Sequence, residues 1–163
     1  MTVLDGLTAP WAQLYSNHTT VAMIVMSLHL LALLIGGGFA VSADRATIRA
    51  VGGDRGARAG QLGDLARTHG IVISALVVSF VSGLLLAAAD VDVFFVSPLF
   101  WAKLGIVFLL LLNGAALRAI ENWLQDDLGD EQNWRRLGMV ARLSMTLWIA
   151  AVIAGVALTD FAG

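Results

Sequence analysis

Four long apolar stretches, separated by polar connections, set the pattern of this 163-residue chain. They run from about residue 19 to 41, from 68 to 89, from 98 to 117 and from 137 to 161. Because a helix rises about 1.5 Å per residue and the hydrocarbon core of a bilayer is about 30 Å thick, about 20 apolar residues suffice to cross it. The pattern therefore predicts four membrane-spanning helices, joined by connections of roughly 26, 8 and 19 residues.

The basic residues fall almost entirely on one side of the predicted spans. Nine arginines lie in or beside the first and third connections, and the tenth cation, Lys103, lies inside the third span. The opposite side carries acidic residues instead, namely Asp5, Asp90, Asp92 and Asp160. Because cytoplasmic loops are enriched in Lys and Arg, we expect an all-α, antiparallel four-helix transmembrane bundle in the bacterial inner membrane, with both termini in the periplasm.

The segment before the first span, LTAPWAQLYS, is typical of a short helix at the membrane interface. Thr8 is the expected N-cap, Pro10 suits the first helical turn, and Trp11 suits the headgroup region. A secretory signal peptide starts with a basic region, whereas this chain has Asp5 and no Lys or Arg before its first apolar run. We therefore expect the N-terminal segment to belong to the mature protein.

The composition agrees with a membrane protein and narrows its chemistry. Hydrophobic residues make up 58% of the chain, charged residues only 13%, and the mean hydropathy is +0.81, whereas soluble domains have about 25% charged residues. The absence of cysteine excludes a disulfide, a thiolate metal site and covalent haem attachment. Neither a nucleophile–base set, a phosphate-binding loop nor a zinc motif is recognisable, and nothing supports binding of nucleic acid.

Two histidines within the predicted spans are the candidate cofactor ligands, because polar groups inside a membrane are costly and often functional. His29 lies in the middle of the first span and His69 near the inner end of the second. Imidazole is a common axial ligand of b-type haem, and methionine can complete the pair. Met139 is roughly level with His69, while Arg67 and Arg142 are the candidate partners of haem propionates.

The predicted topology argues against a single haem held by both histidines. It places His29 and His69 on the order of 15 Å apart in depth, whereas two ligands of one iron lie at nearly the same level. The alternative role for such a histidine is a hydrogen bond to a serine, a threonine or a backbone carbonyl of a neighbouring helix.

Three further features of the spans suggest structural roles. We expect Lys103 to form an ion pair with Asp90, Asp92 or Asp160, and Asn113 to form a hydrogen bond across helices. Arg142 has Glu121 and Asp64 as candidate partners. The three consecutive glycines of the first span, residues 36–38, allow either close helix packing or a helix break of the kind used by transporters.

Two parts of the chain carry recognisable motifs. SLHLLALLIGGGFAVSADR combines His-Leu-Leu, a glycine run and Asp-Arg. The following spans contain Ser-Gly-Leu-Leu-Leu, an acidic connection, Pro-x-Phe-x-x-Lys and a late Asn; these residues are Ser82–Leu86, Asp90, Pro98, Phe100, Lys103 and Asn113. In these motifs, from about residue 27 to 118, the chain resembles a group of uncharacterised four-helix bacterial membrane proteins. That group is distantly similar to copper-resistance D membrane domains and small diheme b cytochromes.

The resemblance implies an antiparallel four-helix membrane bundle. In the haem-binding relatives that the resemblance points to, the histidines lie on facing helices in pairs at the same depth. Here only His29 matches a ligand-like position, and spans three and four contain no histidine. We therefore expect a small integral membrane subunit without catalysis of its own, packed in the lipid bilayer against a larger respiratory or photosynthetic complex or against copies of itself. The alternatives are a b-type electron carrier that holds one haem through His29 or His69, and a permease for a small solute or metal.

Overall fold

The computed structural model describes the backbone of residues 3–161 and the side chains of residues 6–158. Within these residues the regular structure is entirely α-helical. In chain order the helices are α1 (Val3–Asn17), α2 (Thr19–Ala50), α3 (Arg55–Ala89), α4 (Val91–Phe94), α5 (Pro98–Asp126) and α6 (Glu131–Phe161).

Four helices are long and apolar enough to cross a membrane, namely α2, α3, α5 and α6. They coincide with the four predicted spans, so the prediction of an all-helical chain with four candidate spans is confirmed. This pattern indicates a multi-pass membrane protein.

The helices continue well beyond the apolar stretches at their arginine-rich ends. Residues 51–54 alone separate α2 from α3, and residues 127–130 alone separate α5 from α6, so most of the first and third predicted connections is helical. Buried residues keep a helical spacing there, because Thr47 and Ala50 continue one face of α2 and Leu62 and Leu65 one face of α3. The extensions are therefore amphipathic helices that pack against one another.

Short capping contacts define the tight turns between these helices. The Asp54 carboxylate accepts a hydrogen bond from the backbone N–H of Ala57 at 2.8 Å, which caps the start of α3. Asp130 accepts one from the N–H of Asn133 at 3.0 Å, just before α6. Between α5 and α6, the N–H of Gly129 donates to Asp127 at 2.8 Å. Gly129 thus lies at the break between the two helices.

The predicted N-terminal helix is present as α1, but it begins earlier than expected. It starts at Val3, so Thr8 is not its N-cap and Pro10 lies inside it rather than in its first turn. The helix packs against α2 and α3. Trp11 ties it to α3, because its indole N–H donates to the carbonyl of Leu85 at 2.7 Å. The side chain of Asp5, predicted to lie on the acidic outer side, is outside the described residues.

Helix α2 packs against both α3 and α6, and α5 packs against α6. Two apolar clusters fill the space between these helices. One surrounds Trp134, Leu124 and Leu137, which are completely buried. The other surrounds Trp148, which is 4% exposed, together with Leu110 and neighbouring alanines. The two buried tryptophans of α6 therefore mark the centres of the packing.

The glycine run of α2 serves helix packing. Helix α2 is continuous through residues 36–38, so the interpretation of a helix break is wrong. A Cβ atom at Gly36 would lie 2.9 Å from the Cβ of Ala75 on α3 and 3.3 Å from the Trp148 ring, and one at Gly37 would lie 3.2 Å from that ring. Only residues without a side chain leave room for α3 and α6 at these positions.

Candidate functional site

His29 lies at the contact between α2 and α3 and is 7% exposed. Its Nδ1 is 3.0 Å from the backbone carbonyl oxygen of Ser79 and 3.1 Å from the hydroxyl oxygen of Ser82. A carbonyl oxygen can only accept a hydrogen bond, so Nδ1 is the donor. His29 therefore forms the hydrogen bond to a neighbouring helix that the sequence suggested as the alternative to cofactor binding.

The second ring nitrogen of His29 faces the single lysine of the chain. Nε2 lies 3.5 Å from the Nζ atom of Lys103 on α5, which is the outer limit of a hydrogen bond. Two glycines make room for the pair. A Cβ at Gly83 on α3 would lie 3.2 Å from the imidazole, and one at Gly155 on α6 would lie 3.4 Å from Nζ. All four long helices thus contribute to this place, which we call the His–Lys pair.

The expected ion pair of Lys103 is not formed with either carboxylate that the structure describes. Neither Asp90 nor Asp92 lies within ion-pair distance of its amine, because the side chain of Lys103 extends between α2 and α6, towards His29 and Gly155. Asp90 ends α3 and starts the short helix α4. The third predicted partner, Asp160, has a side chain outside the described residues.

A second group of buried polar side chains lies nearer the arginine-rich end of the bundle. His69 Nδ1 is 2.9 Å from the carbonyl oxygen of Leu65 in its own helix and 3.4 Å from a carboxylate oxygen of Glu121 on α5. Asp44 on α2 is 3% exposed, and Ser144 on α6 is its polar neighbour. Within the described residues, one carboxylate oxygen of Asp44 and one of Glu121 have no hydrogen-bond partner.

The polar end of the bundle is held by a buried arginine. Arg58, whose side chain is 7% exposed, donates to both carboxylate oxygens of Glu131 at 2.7 and 3.0 Å. It also donates to the carbonyl of Val51 at 2.7 Å and lies 5.2 Å from the ring centre of Trp134. One side chain of α3 thus joins the end of α2 to the start of α6.

The candidate haem residues are not brought together. His29 contacts Ser79, and His69 lies ten residues before Ser79 on the continuous helix α3, which corresponds to roughly 15 Å along the axis. Met139 is 58% exposed and Arg67 is 85% exposed, so neither points into the bundle beside His69. Both nitrogens of His29 face groups of the protein. A haem between His29 and His69 does not fit this arrangement.

The remaining predicted polar residues have simpler surroundings. Arg142 is exposed, and its candidate partners are engaged elsewhere, because Asp64 lies 3.5 Å from Arg67 and Glu121 lies beside His69. Asn113 is buried at 7% exposure, but its amide forms no hydrogen bond within the described part of the chain.

Several buried polar residues escape notice in the sequence. These residues all lie in the predicted first connection between spans, namely Asp44, Thr47, Arg58 and Gln61. Gln61 donates to the Thr47 hydroxyl at 2.9 Å. The helical spacing of Asp44 and Thr47 could have identified them from the sequence, because they continue the buried face of α2. The earlier residues of that face are Val25, His29, Ala32, Gly36 and Ala40.

Comparison of the chain with protein-family models, curated proteins and solved structures gives no match. Within the described residues, no group of three or more histidine, cysteine or acidic side chains is placed to hold a metal ion.

Proposed function

We propose that this protein is a small integral membrane subunit without catalysis of its own, which packs in the bilayer against a larger membrane complex of respiration or photosynthesis. The observation that carries the proposal is that several of its buried polar side chains join one helix to another. His29 bonds α3, Gln61 bonds Thr47 on α2, and Arg58 joins α2, α3 and α6. Such contacts fix helices relative to one another.

The outer surface supports a role in packing. Large apolar side chains are exposed on every long helix, for example Leu34 at 71%, Val77 at 57%, Phe108 at 61% and Ile153 at 63%. The groove of about 240 Å³ between α2 and α3 is also lined almost wholly by apolar residues, such as Val25. These surfaces suit lipid chains and the apolar helices of a partner.

The proposal includes an antiparallel bundle with both termini outside the bacterial inner membrane. Contacts between α2 and α3 support the antiparallel part, because His29 meets Ser79 whereas the later Thr47 meets the earlier Gln61. The clustering of nine arginines at the ends joined by residues 51–54 and 127–130 supports the orientation.

Photo-crosslinking in native membranes tests the proposal. A photoreactive residue is placed in turn at Leu34, Val77, Phe108 and Ile153, one on each long helix. We expect crosslinks to another membrane protein from one or two of these positions, since a partner covers part of the surface. Crosslinks from none of them, together with purification as a single chain in mild detergent, would contradict a subunit role. Crosslinks only between copies of this chain would replace it with self-association.

The absorption spectrum of the same purified sample addresses the haem alternative. The proposal predicts no Soret band from this chain. A Soret band that is lost in His69→Gln or His29→Gln, but not in His18→Gln, would replace the proposal with a b-type electron carrier.

A further inference from the structure

The His–Lys pair has a defined donor and acceptor order. The Ser82 hydroxyl has two carbonyl acceptors, Val78 at 2.6 Å and Ser79 at 3.1 Å, so its oxygen lone pairs can accept from His29. The Ser79 carbonyl can only accept. Both oxygens therefore require the proton on Nδ1. In the neutral imidazole, Nε2 then carries the lone pair, and it faces Nζ of Lys103.

The packing of the helices fixes which atoms donate and which accept. Nδ1 is fixed by α3, and the close approach of the ring to α3 depends on Gly83, where a Cβ would lie 3.2 Å away. The amine of Lys103 arrives from α5 and passes over Gly155 of α6. A neutral imidazole lone pair is an acceptor for an ammonium group, so the arrangement matches a charged lysine beside a neutral histidine.

The charged and titratable groups around the pair are few among the described side chains. Helix α3 presents Ser79, Ser82 and Gly83 to it, and α6 presents Gly155. Asp90 and Asp92, which follow α3, are not within ion-pair distance of Lys103 among the described contacts. The apolar cluster around Trp148 separates the pair from the second polar group, which contains Asp44, His69 and Glu121.

We propose that the Lys103 ammonium and the neutral imidazole of His29 form a charge-assisted hydrogen bond inside the bundle, in which Nζ donates to Nε2 and the Ser79 carbonyl sets which ring nitrogen accepts. The pair carries one positive charge, which lies on α5, and the imidazole connects that charge to the backbone of α3. This proposal does not depend on the proposed subunit role.

The sequence allows a direct test, because the chain contains one lysine and three histidines. The full-length protein is labelled with ¹⁵N-histidine in lipid bilayers and studied by solid-state NMR at neutral pH. His18→Gln and His69→Gln assign the signals by elimination. We expect His29 to show a protonated Nδ1 and an unprotonated Nε2. We also expect Lys103→Met to shift the Nε2 signal of His29 while the proton stays on Nδ1.

Two further variants separate the pair from general packing effects. Lys103→Arg keeps a cationic donor, so the Nε2 signal should stay closer to that of the unmodified protein than in Lys103→Met. Ser82→Ala removes the hydroxyl but keeps the Ser79 carbonyl, so the tautomer should be retained. A protonated Nε2 with an unprotonated Nδ1 at neutral pH would overturn the proposal. An Nε2 signal that is identical with lysine, arginine and methionine at position 103 would also overturn it.

Discussion

Nδ1 of His29 lies 3.0 Å from the backbone carbonyl oxygen of Ser79, in the middle of two long apolar helices. A mid-helix carbonyl already accepts the backbone bond of its own helix, and it uses its second lone pair here. The contact is possible because Gly83, one turn further along α3, has no side chain in the path of the ring. His29 thus donates a hydrogen bond from Nδ1 to α3, while its Nε2 faces Lys103 on α5 as an acceptor.

Replacing His29 by alanine should destabilise the bundle by about 1–2 kcal/mol. Interhelical hydrogen bonds in membrane proteins contribute about 0.6 kcal/mol on average and at most about 1.7, and the lost ring leaves a small cavity. His18→Ala is the matched control, because His18 is exposed and bonds only the nearby carbonyl of Leu14. Equilibrium unfolding in mixed detergent micelles measures both. Equal stabilities of the two variants would argue against the His29 contact.

Two glycines of the run in α2, Gly36 and Gly38, should respond in opposite ways to replacement by alanine. Gly36→Ala should destabilise the protein by about 1–3 kcal/mol, because the new Cβ would overlap with Ala75 at 2.9 Å and crowd Trp148. Gly38→Ala should be neutral or stabilising by up to about 1 kcal/mol, because nothing lies within 4 Å and alanine favours the helix. Thermal unfolding followed by circular dichroism compares them. A stabilising Gly36→Ala would contradict the packing described for α2.

The four long helices could be predicted because hydropathy alone identifies them, whereas the extension of α2 and α3 beyond their apolar stretches could not. The apolar stretch stops near residue 41, but α2 continues to Ala50, since its buried face changes from apolar residues to Asp44 and Thr47 without losing its period. A search for continuous apolar runs misses such an extension. A search for helical spacing finds it.

Part of the candidate site could likewise be predicted. The role of His29 as an interhelical contact follows from the cost of leaving a polar group unpaired between helices, and the structure confirms it. The predicted ion pair of Lys103 was wrong for the two described carboxylates, Asp90 and Asp92. They were favoured because they lie at the same predicted membrane level as Lys103, whereas its actual neighbour, His29, lies on another helix. Which faces of α2 and α5 meet depends on side-chain packing, which a single sequence does not encode in its hydropathy.

Arg58 should matter for stability far more than its exposed counterpart Arg67. Arg58→Ala removes the bonds to Glu131 and to the carbonyl of Val51 and leaves that partly buried carbonyl without this donor. Arg67→Ala removes only a 3.5 Å ion pair with Asp64 between two exposed side chains. We expect the Tm to fall by several degrees in the first variant and to stay nearly constant in the second. Similar melting temperatures would show that the Arg58 contacts contribute little.

The ion pair between Arg58 and Glu131 predicts that the stability of the polar end of the bundle depends on pH. Glu131 lies at the first residue of α6, before the apolar stretch that starts at about residue 137. Its hydrogen bonds from Arg58 hold the pKa of the Glu131 carboxyl below its ordinary value of 4.5. A carboxyl with a lowered pKa in the folded state stabilises the protein at pH values above that ordinary value. The contribution is lost as the pH falls through the lowered pKa.

Comparison with Glu131→Gln isolates this group from the other carboxylates, which titrate in both proteins. At pH 7 the unmodified protein should have the higher Tm, because the ionised carboxylate accepts two charge-assisted bonds from Arg58 and the amide cannot replace both. As the pH falls below about 4.5, the difference in Tm between the two proteins should shrink towards zero, since the carboxyl becomes neutral. Solvent screening keeps this difference in Tm small, because the Glu131 side chain is 61% exposed. A difference in Tm that stays constant from pH 7 to pH 3.5 would mean that packing rather than charge accounts for the role of Glu131.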